Sequence, residues 1–135
     1  MTAFDDLMAF QRETEALAQV AGRLSWDQET VMPRGAAPQR AEETAALETV
    51  LHARRVDPKV GEWLAIIDEA HLDDVGRAQL RHIRRSRERA IKVPAALASR
   101  LARVTSEAQG IWAAARAAED VQAFAPTLSE VITLK

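Results

Sequence analysis

Apolar residues recur at steps of three and four along most of this chain. Nowhere do they alternate with polar residues through a β-branched run, so the pattern predicts helices throughout. A first helix is expected from about Phe4 to Gln28, with Leu7, Phe10, Leu17, Ala21 and Leu24 on one face and Thr14 interrupting that stripe. After a turn over Met32 to Ala37, Pro38 opens a second helix reaching about Arg54, with Ala41, Ala45, Leu47 and Leu51 available for packing. Asp57 and Pro58 cap and start a third, about Pro58 to Ala70, which turns Val60, Trp63, Leu64 and Ile67 inward. Asp73 or Asp74 caps a fourth that stops near Lys92, because Pro94 biases Val93 out of helical backbone. From Pro94 a fifth helix carries the most regular stripe of all, Leu97, Leu101, Val104, Ala108, Ile111 and Ala115, and is expected at the centre of the bundle. Phe124, Leu128, Val131 and Ile132 begin a sixth, restarted at Pro126. It runs out at Lys135 with no capping glycine or polar tail, an ending expected of a cut chain. The fold class read from this pattern is all-α, an antiparallel bundle of five to six helices forming a single domain over residues 1–135.

Composition narrows the chemistry. Cysteine is absent, which excludes a disulfide, a thiolate metal site and a cysteine nucleophile. The three histidines are His52, His71 and His82, and the closest two stand eleven residues apart. A helical zinc-peptidase site needs two histidines four apart on one face, so no residue of this chain is assigned as catalytic or metal-ligating. A net charge of −2 argues against a nucleic-acid or anionic-membrane partner. No apolar run approaches the roughly 20 residues that span a bilayer. The start Met1-Thr2-Ala3-Phe4-Asp5-Asp6 lacks the basic region of a signal peptide, so a cytoplasmic location is expected.

Three polar features stand out. The run Ser25 to Gly35 crowds Trp26, Asp27 and Glu29 ahead of a Met32-Pro33 stop. Trp26 is expected to pack between helices while the carboxylates accept hydrogen bonds from backbone or arginine; the sharper reading makes Asp27 and Glu29 the polar wall of a cleft. Two residues apart on a helix they diverge by about 200°, too far to act together on one substrate. The middle of the fifth helix holds Thr105, Ser106, Glu107 and Gln109, of which Thr105 and Glu107 lie off the apolar stripe and should face solvent. Trp112 and Phe124 are expected in the core. Finally, Arg77 to Lys92 carries seven basic residues against one acid, a local charge of +6. Arg87 falls inside that helix's apolar stripe of Leu80, Ile83, Ala90 and Ile91, so its guanidinium should be covered and paired with a carboxylate. The first fifty residues, with nine acids against four bases, offer partners, and His82 reads as an edge residue.

The run Ser25-Trp26-Asp27-Gln28-Glu29-Thr30-Val31-Met32-Pro33-Arg34-Gly35, the Lys92-Val93-Pro94 junction, the block Thr105 to Trp112 and the segment Phe124 to Leu128 together resemble the start of the carboxypeptidase Taq family of zinc metallocarboxypeptidases. The resemblance covers essentially the whole chain. It implies an amino-terminal portion of a larger all-helical, usually homodimeric enzyme that removes single residues from peptide carboxyl ends. Zinc or a similar divalent metal would be held by a His-Glu-x-x-His helix that this chain does not contain. Its partners would be the peptide substrate and the remainder of the same polypeptide. On that reading Trp26, Asp27, Glu29, Arg87, Glu107, Gln109 and Trp112 are candidate structural or groove-wall residues, and the 135 residues alone are inactive. The competing reading is a free-standing helical module whose arginine-rich helix binds an acidic protein or RNA.

Overall fold

Thr2 starts the first helix by a reciprocal pairing: its hydroxyl accepts from the Asp5 backbone N–H, and the Asp5 carboxylate accepts from the Thr2 N–H at 2.9 Å. The computed structural model describes residues 2–135; Met1 lies outside them. Six α-helices follow one another: α1 Ala3–Thr30, α2 Ala37–Val56, α3 Pro58–Ile66, α4 Asp74–Ala90, α5 Ala95–Ala117 and α6 Val121–Leu134. Single 3₁₀ turns at Arg34–Ala36 and Glu69–His71 join α1 to α2 and α3 to α4. The described residues are an all-α bundle, with no strand among them.

Local chemistry sets most of the boundaries. Asp57 caps α3 by accepting from the Lys59 N–H at 2.9 Å, and Asp73 caps α4 by accepting from the Gly76 N–H at 2.7 Å. α3 ends at Ile66, four residues before the expected Ala70. There Asp68 closes a turn by accepting from the Ala70 N–H and pairs with His71, drawing the chain out of the helix. α6 also departs from expectation, since it begins at Val121 under an Asp120 cap and runs through Pro126 instead of restarting there. The α5–α6 joint has Glu119 at φ 54°, the left-handed position usually given to glycine. Its N–H donates to the Arg116 carbonyl and the next N–H, of Asp120, to that of Ala115, closing the last turn of α5.

Two interiors result. In one, Leu7 of α1, Val60 of α3 and Leu80 of α4 are fully buried and ringed by Phe4, Met8, Phe10, Trp63, Leu64 and Ile67. The Phe10 and Trp63 rings meet edge-on at 5.7 Å. Thr14, at the rim of this cluster, is buried without being stranded: its hydroxyl donates to the Phe10 carbonyl and accepts from Arg54, whose guanidinium also lies 4.0 Å over the Phe10 ring. The second interior lies between α2 and α5, where Ala41, Ala45 and Val104 are buried and the small side chains let the helices approach.

The centre of the bundle is α2, which packs on α1, α4 and α5. This corrects the expectation for α5. That helix lies between α2 and α6, so its stripe is buried at Val104 and Ala115 while Ile111 keeps 40% of its surface in solvent. The charge match also differs from the sequence reading. The α4 arginines that pair do so with neighbouring acids, Arg77 with Asp74 and Arg84 with Glu69, because those acids stand at the start of the same helix and in the turn before it. The acids of the first fifty residues instead hold Arg40, Arg54, Arg55 and Arg103.

Candidate functional site

The end of α1, the turn after it and the middle of α5 enclose a cleft of about 760 Å³. Pro33 makes it possible by stopping the chain: α1 closes with the Val31 and Met32 N–H groups both donating to the Asp27 carbonyl, and the backbone then turns through Pro33 toward α2.

Arg40 fixes the angle between α1 and α2. Its side chain is only 12% exposed and donates to three acceptors: the Leu24 carbonyl at 2.5 Å, the Asp27 carboxylate at 2.6 Å and the Glu43 carboxylate at 2.9 Å. Donating a hydrogen bond to the Asp27 carboxylate raises the Arg40 pKa above its usual value, against the opposing pull of burial.

Gln28 does for α5 what Arg40 does for α2. Its amide N–H donates to the Ser106 carbonyl at 2.8 Å, and its amide oxygen accepts from the Ser106 hydroxyl at 3.1 Å, so both ends of one side chain are used on one residue. Beside it the Gln109 amide reaches Glu29 at 3.5 Å. Asp27 and Glu29 therefore grip different helices, as a 200° divergence on α1 requires.

The seven residues singled out from sequence do not form one constellation. Glu29, Gln109 and Trp112 line the cleft together with Met32, Arg34 and Ala37. Asp27 lies behind it, committed to Arg40. Glu107 is exposed and outside it, as its position off the stripe predicts. Trp26 is 64% exposed, so its expected packing between helices is overturned: two residues past Leu24 it stands about 200° round the helix, on the side away from α2 and α5. Trp112 is no core residue either. It is 50% exposed and supported on one side by Phe124 of α6, ring centres 5.7 Å apart. Arg87 sits at the other end of the molecule. It is half-buried as expected but pairs with no carboxylate; its guanidinium donates to the Asp57 carbonyl at 2.7 Å and caps the end of α2. Gly61 leaves it room, since a Cβ there would come within 3.0 Å of the guanidinium.

The sequence gives no role to Arg40, and Gln28 and Ser106 stand in its polar runs without a partner assigned to either. One signal was available for Arg40: a cation in the first turns of a helix opposes the dipole, which implies a partner outside that helix.

As chemistry, the cleft is a binding surface: an indole face, a thioether and alanines for apolar groups, with Gln109, Glu29 and Arg34 for polar ones. Its lining has one carboxylate and no histidine. Among the described residues no group of three or more His, Cys, Asp or Glu side chains could hold a metal ion. No helix among them is long and apolar enough to cross a membrane.

Residues 6–135 match the family described as carboxypeptidase Taq (M32) metallopeptidase. Thermostable carboxypeptidase 1 of Thermus thermophilus is 39% identical over 136 residues. That alignment takes in 98% of this chain and 27% of the relative, so the chain spans about a quarter of the length of the protein it matches. With a match over nearly every residue, this chain belongs to the carboxypeptidase Taq (M32) metallopeptidase family.

Proposed function

We propose that these helices are the amino-terminal portion of a metal-dependent carboxypeptidase, in which the α1–α5 cleft walls or covers the groove that admits a peptide's carboxyl end. One observation carries this reading: residues 6–135 match the family, and the alignment with a thermostable carboxypeptidase covers 98% of this chain but only 27% of that relative. On this reading the metal implied by the family is held by the parent's remaining part, and these residues take no chemical step. Their work is positional. Gln28 and Arg40 fix α1 against α5 and α2, and Trp112, Met32 and Gln109 present a mixed surface to the substrate chain. The parent works as a homodimer in the cytoplasm, on zinc or a similar divalent ion.

The test has two arms. The 135-residue chain should bind no stoichiometric zinc and release no carboxyl-terminal residue from an amino-blocked dipeptide; one tightly held zinc per chain together with cleavage would refute the assignment. In the full-length parent, Trp112→Ala should raise KM severalfold, roughly 1 kcal/mol of binding, while kcat changes by less than about twofold. An unchanged KM would remove this cleft from the groove.

A further inference from the structure

α2, α4 and α5 enclose a second cleft, of about 1020 Å³, whose walls differ in chemistry. The α4 wall carries His82, Arg85 and Arg89; the α5 wall carries Ala98, Leu101 and Ala102. Arg77, Arg84 and Arg87 of α4 all have partners, but Arg85 and Arg89 are exposed and have none among the described residues. The lining holds one carboxylate side chain, Glu48, already occupied by Arg55 at 2.8 Å, and also the last residue, Lys135. A strongly positive cleft therefore sits in a chain of net charge −2, and its charge is uncompensated from within.

Geometry selects the ligand. Arg85 and Arg89 are four residues apart, so they project from one face of α4 about 6 Å apart along its axis. Side chains on one edge of an extended peptide recur at every second residue, about 6.6 Å. The side chain between them turns the opposite way, toward the α5 wall, where two alanines leave space. We propose that this cleft binds an extended peptide segment in which acidic and apolar residues alternate, two acidic side chains pairing with Arg85 and Arg89 while the apolar one between them lies on Ala98, Leu101 and Ala102.

The choice of a peptide rests on the peptidase reading, and two further features favour it. Leu101, Thr105 and Gln109 fall on one stripe of α5; Thr105 lines this cleft and Gln109 the other, about 6 Å further along, so both clefts open on the same stripe of α5. Against a nucleic acid, the lining contains no phenylalanine, tyrosine or tryptophan on which a base could stack.

Fluorescence anisotropy with the whole 135-residue chain at low salt tests this, using labelled Glu-Leu-Glu-Leu-Glu, its glutamine counterpart Gln-Leu-Gln-Leu-Gln and the rearranged Glu-Glu-Glu-Leu-Leu. The alternating acidic peptide should bind roughly fivefold or more tightly than either, with the advantage shrinking as salt is raised. Arg85→Gln/Arg89→Gln should abolish the advantage, while Arg23→Gln/Arg81→Gln, which removes the same charge from exposed sites outside the cleft, should keep it. Equal binding of the alternating and rearranged peptides would overturn the proposal, as would an equal loss in the control variant, or an oligouridylate that binds more tightly than the alternating peptide. Should the double variant misfold by circular dichroism, the comparison of peptide order on the unaltered chain decides alone. Peptide binding is read without turnover, so failure here leaves the parent's carboxypeptidase assay standing, and an inactive parent leaves the cleft standing.

Discussion

The two ends of α1 are held by opposite means. Its first turns are embedded in large apolar side chains, with Leu7, Val60 and Leu80 removed from water and each contributing about 1.5–3 kcal/mol by burial. Its last turns meet α2 and α5 through a few oriented polar groups, Arg40 on Leu24 and Asp27, and Gln28 on Ser106. The first arrangement is non-directional and resists large forces. The second adds less stability but sets angles, because a guanidinium with three acceptors and an amide with two fixed contacts leave little rotational freedom. The cleft proposed to meet substrate lies at the polar end, where geometry matters more than strength.

Substitutions can break this contrast in order of size. Leu80→Ala should cost about 3–4 kcal/mol in urea unfolding, through lost burial and the cavity left behind. Arg40→Ala should cost less, about 2 kcal/mol, since Asp27 and a backbone carbonyl lose their partner but Asp27 stays partly hydrated. A double-mutant cycle with Asp27→Asn should show coupling between the two, and a loss equal to that of Leu80→Ala would erase the distinction drawn here. Ser106→Ala should cost about 1 kcal/mol, leaving the Gln28 oxygen with its hydrogen bond unmade; no loss would show that the Gln28–Ser106 contact does not hold α5.

The smallest effect is one of pH. The backbone N–H of Thr2, then its hydroxyl, holds the Asp5 pKa below the usual 3.8. The carboxylate's contribution is therefore fully present above pH 3.8 and is lost as pH falls through the lowered folded value. Amide exchange in the first turn of α1 should accelerate only below that point, and Asp5→Asn should abolish the dependence.

What the sequence made legible was local. Asp57-Pro58, Asp73 and Val93-Pro94 mark boundaries through contacts only a few residues long, so α3, α4 and α5 begin where the pattern places them. The apolar periodicity likewise exposed the helices and the Leu7, Val60, Leu80 core. The cleft was less legible because its geometry depends on how α1, α2 and α5 lie against one another. Glu29, Gln109 and Trp112 are legible as candidates, whereas Trp26 by its size suggests packing although its phase on α1 sets it apart from the stripe. Arg87 was rightly read as covered, but its acceptor is a helix end contributed by α2, 30 residues away in the chain, which no periodicity within α4 reveals.

α1 runs 28 residues without a break and is thus about 42 Å long. It acts as a lever arm with its fulcrum among the phenylalanine, leucine and tryptophan side chains of the first interior. The arm from Leu7 to Thr30 is about 34 Å, so a tilt of one degree moves the far tip by roughly 0.6 Å, a fifth of a hydrogen-bond length. Aim at the distant tip is thereby inherited from packing at the near one, and a conservative change around Leu7 would be felt first where Glu29 faces Gln109.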